Sequence, residues 1–238
     1  MQFVHIVTFR HADAARRISD ADLHAMQDVV LETPGLVRAN FHTPSSARDY
    51  YTDDGPSPQF VIESYFDRLD ELEAALAADG TFQALAQAGR WASLEGADVE
   101  HQVMLSRPWV ESGRDGLPAA GKPHCSYLVH YPGYAEDFFA WLNYYLAHHP
   151  QIMLRFPKIR GVEIYTRVDW IDAMPWRRAN YMQRNKQVFD SPEDLTAALN
   201  SPVRHEMRAD FEKFPPFHGS NRHFAMITVS LAGRSQAR

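Results

Sequence analysis

Histidine is the side chain whose proton balance lies closest to neutral pH, and this chain carries 12 of them. Several fall where secondary-structure patterns begin or end. His130 and Tyr131 close one strand-like run, Tyr181 opens another, His223 opens the last, and His218 sits in the loop before it. A pair of imidazoles in a dry pocket can move protons to and from a carbonyl or hydroxyl compound, and a nearby Tyr or Arg can stabilise the oxyanion that develops. The segment Asp169 to Ala179 holds Trp170, Met174, Trp176, Arg177 and Arg178, a composition suited to an aromatic lid over a pocket. Phe138, Leu142, Tyr145 and His149 step at helical spacing, which places His149 on an inward stripe, while Pro150 disturbs the turn around it. The plain alternative is that His149 satisfies the carbonyls Pro150 frees, and that the strand-end histidines face water. The catalytic candidates are His130, His149 and His223. The substrate-binding candidates are Tyr131, Tyr165, Trp176, Tyr181 and His218. No metal is expected, because His130, His218 and His223 lack a known ligand spacing.

These residues need a scaffold, and the sequence writes it twice. Pro34 to Thr43 reappears as Pro157 to Thr166, and Phe66-Asp67 as Phe189-Asp190, at a constant offset of 123 residues. That period is too long for a solenoid, so each copy is a small domain. In the first, strands over 2–9, 37–43, 59–66 and 99–105 alternate with helices after Asp20 and Asp70, the second of them one helix or two parted near Gly80. The order is β-α-β-β-α-β, and the second copy repeats it, with helices over Ala135 to about His149 and Pro192 to about Phe214. We therefore expect an α+β protein of two ferredoxin-like units, residues 1–106 and 124–238, joined by a linker over 107–123. Each antiparallel sheet has helices on one face and a second apolar face, so the two sheets should press together as a barrel-like pseudo-dimer within one chain. Arg184, Asn185, Lys186 and Gln187 make the third strand of the second unit far more polar than its counterpart. Either it faces solvent or one of its sides lines a polar cavity.

Composition narrows the function. A net charge of −6 without a basic run argues against nucleic acid, and no apolar run is long enough for a membrane helix. The lone Cys125 allows no internal disulfide, and no basic-then-apolar leader opens the chain, so a cytoplasmic location is expected. Phosphate-binding glycine loops, dinucleotide fingerprints, zinc-type cysteine pairs and nucleophile elbows are missing from the sequence.

The second copy carries, in order, Tyr131-Pro132-Gly133, Phe138-Phe139-Ala140-Trp141, His148-His149-Pro150, Phe156-Pro157-Lys158-Ile159-Arg160-Gly161 and Phe189-Asp190-Ser191. This run resembles the EthD family of dimeric α/β-barrel proteins. Lys158 stands where the family pattern has glycine, and either His148 or His149 matches its histidine. The first copy has Met26 at the place of His149, which points to the second copy as the principal site. The resemblance implies a cofactor-independent lyase or isomerase, of dehydratase or decarboxylase type, acting on an aromatic or conjugated carbonyl compound in degradation or secondary metabolism. A cofactor-free monooxygenase is also within its range. It leaves two other readings open, a haem-binding peroxidase-like protein and a non-catalytic ligand-binding accessory protein. A homodimer is compatible with an internal pseudo-dimer.

Overall fold

In the computed structural model, which describes residues 1–109 and 117–234, the first unit comprises β1 (Gln2–Arg10), α1 (Asp20–Leu31), β2 (Leu36–Pro44), β3 (Phe60–Phe66), α2 (Leu69–Leu76) and β4 (Asp98–Trp109). Next come β5 (His124–Tyr131), β6 (Tyr134–Ala135), α3 (Phe138–Met153), β7 (Gly161–Arg167), β8 (Arg177–Arg178) and β9 (Gln183–Phe189). The second unit ends with α4 (Pro192–Leu199), α5 (Pro202–Phe211), β10 (Phe217–His218) and β11 (Arg222–Ala232). Within each unit the first strand is central, β1 pairing with β3 and β4, and β5 with β9 and β11. The units then join edge to edge, β2 with β11 and β4 with β7, which closes an eight-stranded antiparallel barrel. Closure leaves none of these strands with an unpaired edge. The expected pseudo-dimer within one chain is thus the architecture observed.

Local chemistry explains the element ends. Ser19, Asp137 and Ser191 each cap a helix by accepting from the backbone N–H three residues on. The turn before β2 uses Gly35 at φ 76°, and the matching turn before β7 holds Lys158 at φ 61°, so the duplicated turn keeps its left-handed residue after losing its glycine. Lys158 Nζ reaches Asp194 at 2.6 Å, a contact a glycine has no side chain to make.

Four boundaries differ from expectation. The helical stretch expected from Asp70 to about Ala92 is α-helical only to Leu76, and Thr81–Ala86 and Ala92–Leu94 form short 3-10 turns. The last helical stretch is two helices, because Ser201-Pro202 interrupts the ladder and starts α5. Helix α3 runs through Pro150 to Met153, since the proline removes one N–H without unwinding the turns that pack around it. Strand β4 continues to Trp109 by pairing with β7, shortening the connection anticipated from Arg107, and residues 110–116 lie outside the described part.

Side chains alternate between the barrel lumen and the helical layers. The lumen holds Val4, Ile6, Val61, Tyr65, Met104, Leu128, Tyr165, Phe224 and Met226 packed together. Among them runs a charged network in which Lys186 Nζ lies 2.6 Å from Glu63 and 2.7 Å from Glu163, with Arg38 2.6 Å from Glu163. Burial alone would raise both acids, but the cations outweigh it. Lys186 and His42 hold Glu63 well below the usual carboxylate range, and Lys186 with Arg38 holds Glu163 at about 2. Tyr65 and Tyr165 complete the network, their hydroxyls 2.8 Å apart. The polar third strand is therefore buried on both sides, every residue from Gln183 to Phe189 being enclosed. No helix among the described residues is long and apolar enough to cross a membrane.

Candidate functional site

On the outer face of the second sheet, beneath α3 and α5, lies a narrow cavity of ≈ 40 Å³. Strand β9 contributes Asn185 and Gln187 to it, β5 contributes Tyr127 and Tyr131, and the apolar wall includes Met153 and Phe156. His149 and His223 also line it. They arrive from different elements. Trp141, Tyr145, His149 and Met153 form the buried stripe of α3, and His223 sits at the start of β11 opposite Val129.

Each imidazole is held by a carboxylate. His149 Nδ1 lies 2.7 Å from Asp210 Oδ2, and the other oxygen of Asp210 accepts from Tyr144 Oη at 3.1 Å. His223 Nδ1 lies 2.8 Å from Asp54 Oδ2, which also accepts the His223 backbone N–H at 2.9 Å. Burial would raise both aspartates, yet the histidine contacts lower them, so both are ionised acceptors. An acceptor-only carboxylate fixes the proton on Nδ1 and leaves Nε2 as the free base. Neither Nε2 has a hydrogen-bond partner among the described residues. Burial pushes His149 below its ordinary value, with Asp210 opposing, so this ring is neutral at neutral pH. The neighbouring His148 is exposed and bonds the Tyr144 carbonyl of its own helix.

Tyr131 is fully buried, and its phenol, raised by burial, stays protonated, with the Tyr145 ring packed edge-on against it. Asn185 Nδ2 donates to Tyr145 Oη at 2.9 Å. Gln187 Oε1 is buried without a partner among the described residues, an acceptor available to a ligand donor.

The cavity's cover comes from the other half. The β2–β3 connection crosses the β2–β11 seam, tied down where Ser45 N and Ser57 Oγ donate to Ala225 O. It delivers Asp54 to His223 and places Asp49 in a two-pronged contact with Arg204, with Nε to Oδ1 at 2.9 Å and Nη2 to Oδ2 at 2.8 Å. Tyr127 Oη donates to the same carboxylate at 3.2 Å.

The candidates from the sequence separate into four places. His149, His223 and Tyr131 meet at the cavity. His130 faces the lumen with Tyr181 and Phe224 around it, on the opposite side of the sheet from His223. The expected convergence of three imidazoles fails for a pleat reason, since His130 pairs with Arg222 while His223 pairs with Val129, so the two rings share an end but not a face. Tyr165 belongs to the luminal charge network, 2.7 Å from Glu163. His218 is exposed, 3.3 Å from Glu136 and stacked near Tyr134. Trp176 covers the first unit rather than the second, packing beside His5, Phe9 and His101. The lid segment crosses the seam just as the β2–β3 connection does. Asp54, Asp210 and Arg204 were not singled out, and Asn185 only as one of the polar residues of the third strand. Each lies far in sequence from its partner, and only the polarity of the third strand offered a signal.

No family model matches the sequence, and no curated protein matches it. The structure is similar over 98% of this chain and 94% of the other to an anthrone oxidase-like protein, at TM-score 0.65 and 10% identity. A monooxygenase-named structure from Fusobacterium nucleatum aligns over 98% of this chain and 94% of its own at TM-score 0.58 and 9% identity. Another so named, from Lactobacillus acidophilus, aligns over 98% and 97% at TM-score 0.51 and 9% identity. These likenesses establish the fold, the dimeric α/β barrel built within a single chain.

Proposed function

We propose that this chain is a small-molecule enzyme in which His149 acts as general base on an aromatic or conjugated carbonyl compound bound in the second-half cavity. The observation that carries the reading is the pair of imidazoles on one cavity, each with Nδ1 fixed by an aspartate and Nε2 left open. His149 Nε2 takes a proton from a carbon or hydroxyl next to the conjugated system. The electron pair left behind moves onto the carbonyl oxygen, and Asp210 stabilises the imidazolium. Tyr131 is a buried donor placed for that oxygen. Returning the proton to another carbon gives an isomerase; giving it to a departing hydroxyl gives a dehydratase. The reaction needs no cofactor.

A second fate for the same carbanion is reaction with O₂, which the fold shared with an anthrone oxidase-like protein and two monooxygenase-named structures favours. The haem alternative fits the residues less well. His149 Nε2 offers a ligand, but the amides of Asn185 and Gln187 suit a hydrogen-bonding ligand rather than a flat apolar ring.

Proton abstraction is tested apart from its outcome by incubating a hydroxylated anthrone with the protein in D₂O and following deuterium uptake at the acidic carbon by NMR. Exchange above buffer, lost in His149→Ala, is expected. Exchange equal to buffer in the wild type would overturn the reading, and oxygen uptake on the same sample separates oxygenase from isomerase.

A further inference from the structure

The lumen contains a charge that the mechanism does not use. Arg184 points into the barrel from β9 and is 1% exposed, yet Nε, Nη1 and Nη2 are all buried without a hydrogen-bond partner among the described residues. A guanidinium stays charged at any physiological pH, and leaving its donors unmet in a low-dielectric interior is costly. The luminal carboxylates do not meet them. Glu63 and Glu163 are taken up by Lys186, His42 and Arg38. Glu100 accepts from Tyr181 Oη at 2.6 Å and pairs with Arg177 at 2.8 Å. Around Arg184 the other groups are neutral or cationic. Tyr181 lies against its face at 4.2 Å, which leaves the in-plane N–H groups unmatched. His130 is its cross-strand neighbour on β5, and Arg222 is the neighbour of His130 on β11. Arg10 comes across the same end of the barrel, its guanidinium 4.8 Å over Phe224, which in turn packs on His130. Thr8 Oγ1 on β1 is a further buried hydroxyl without a partner among the described residues. At the position of Arg184 the first unit has Val61, so this charge is particular to the second copy.

We propose that this end of the lumen is a binding site for a small monovalent anion, a carboxylate or a halide, held by the N–H fork of Arg184, with Arg10 and His130 beside it. The site is distinct from the catalytic cavity. Arg184 and Asn185 are successive residues on β9, so they open to opposite faces of the sheet. A carboxylate matches the planar fork with two parallel hydrogen bonds, and a halide meets the same donors as a point charge. The proposal stands whether or not His149 is a base, because it uses none of the cavity's residues.

Thermal unfolding of the full chain is measured against sodium formate and, separately, sodium bromide, with ionic strength held constant by a bulky organic anion. A saturable rise in Tm with at least one anion is expected for the wild type and its loss for Arg184→Gln. As a control for folding of that variant, wild-type crystals soaked in whichever anion raises Tm should show it within hydrogen-bond distance of the Arg184 guanidinium, as an anomalous peak if it is bromide. A flat response to both anions, an equal response in wild type and variant, or only water at Arg184 in those crystals would overturn the proposal.

Discussion

The two halves of this barrel share a plan and differ in one layer. In each, a histidine on the last strand faces the helices: His101 opposite Val7 in the first unit, His223 opposite Val129 in the second. In each, the covering loop comes from the other half and carries an aspartate near that histidine, Asp172 at 3.8 Å from His101 and Asp54 at 2.8 Å from His223. What differs is the space between. Strand β3 turns Phe60, Ile62 and Ser64 toward its helices, whereas β9 presents Gln183, Asn185 and Gln187 at the same offset. The first unit has Met26 where the second has His149, and it fills the remaining volume with Phe82 and Trp176 stacked on His5. A duplicated scaffold has thus become one packed core and one polar cavity through changes on a single strand, one helix position and one loop.

The strongest way to break this comparison is to remove each half's histidine. His149→Ala is expected to lower kcat/KM for proton abstraction by roughly 10²–10⁴-fold, the range for losing a general base. His101→Gln, by contrast, should leave it nearly unchanged, and comparable losses in both would mean the first half is also a site. Lys186→Met tests the seam that both halves share. Removing the cation between Glu63 and Glu163 leaves Glu163 with Arg38 and Glu63 with only the His42 imidazole, and should destabilise the fold by about 3–5 kcal/mol, read by denaturant unfolding.

A smaller effect is expected from Asp54→Asn. The loop would still fold, but His223 would lose its ionic partner, and activity should drop about 10–100-fold with little change in Tm. Unaltered activity would show that cover from the first half serves packing alone.

Acid should sharpen the comparison further. Burial, then the neighbouring His101, pushes His5 well below its ordinary value; burial likewise lowers His101 and His149. Their folded forms stay neutral where the unfolded chain has begun to bind protons, so the stability they allow is present above about pH 6.5 and declines as pH falls below it. His5 and His101 lie 3.0 Å apart and cannot both be charged cheaply. His5→Phe should therefore flatten the decline in Tm between neutral pH and about pH 5.5, and an unchanged slope would assign it to other groups. Exchange by His149 should persist through the range where an ordinary histidine titrates and fade only at lower pH, because burial keeps its Nε2 unprotonated.

Much of the fold was legible because it was written twice. The offset from Pro34 to Pro157 and from Phe66 to Phe189 gave two units, and alternation gave their strands. Helix ends were harder. Pro150 reads locally as a stop, yet packing of Trp141, Tyr145 and Met153 carries α3 past it. At the site, the stripe on α3 placed His149 inward, and the polarity of β9 announced something unusual without saying which side mattered. Both sides did. His130 and Trp176 were placed by end and by sequence neighbourhood, whereas the pleat and the crossing of the seam assign them to the lumen and to the other half.

The sequence by itself determined the duplication, the order of elements and the concentration of divergent polar residues in the second copy, since periodicity and repeated turns are properties of neighbours along the chain. Only the tertiary structure decided that Asp210 holds His149, that Asp54 of the first half holds His223, and that Arg184 faces inward without an acceptor. Those relations depend on barrel closure, which brings together residues more than 60 positions apart, and on a two-residue pleat that sends adjacent side chains to opposite faces.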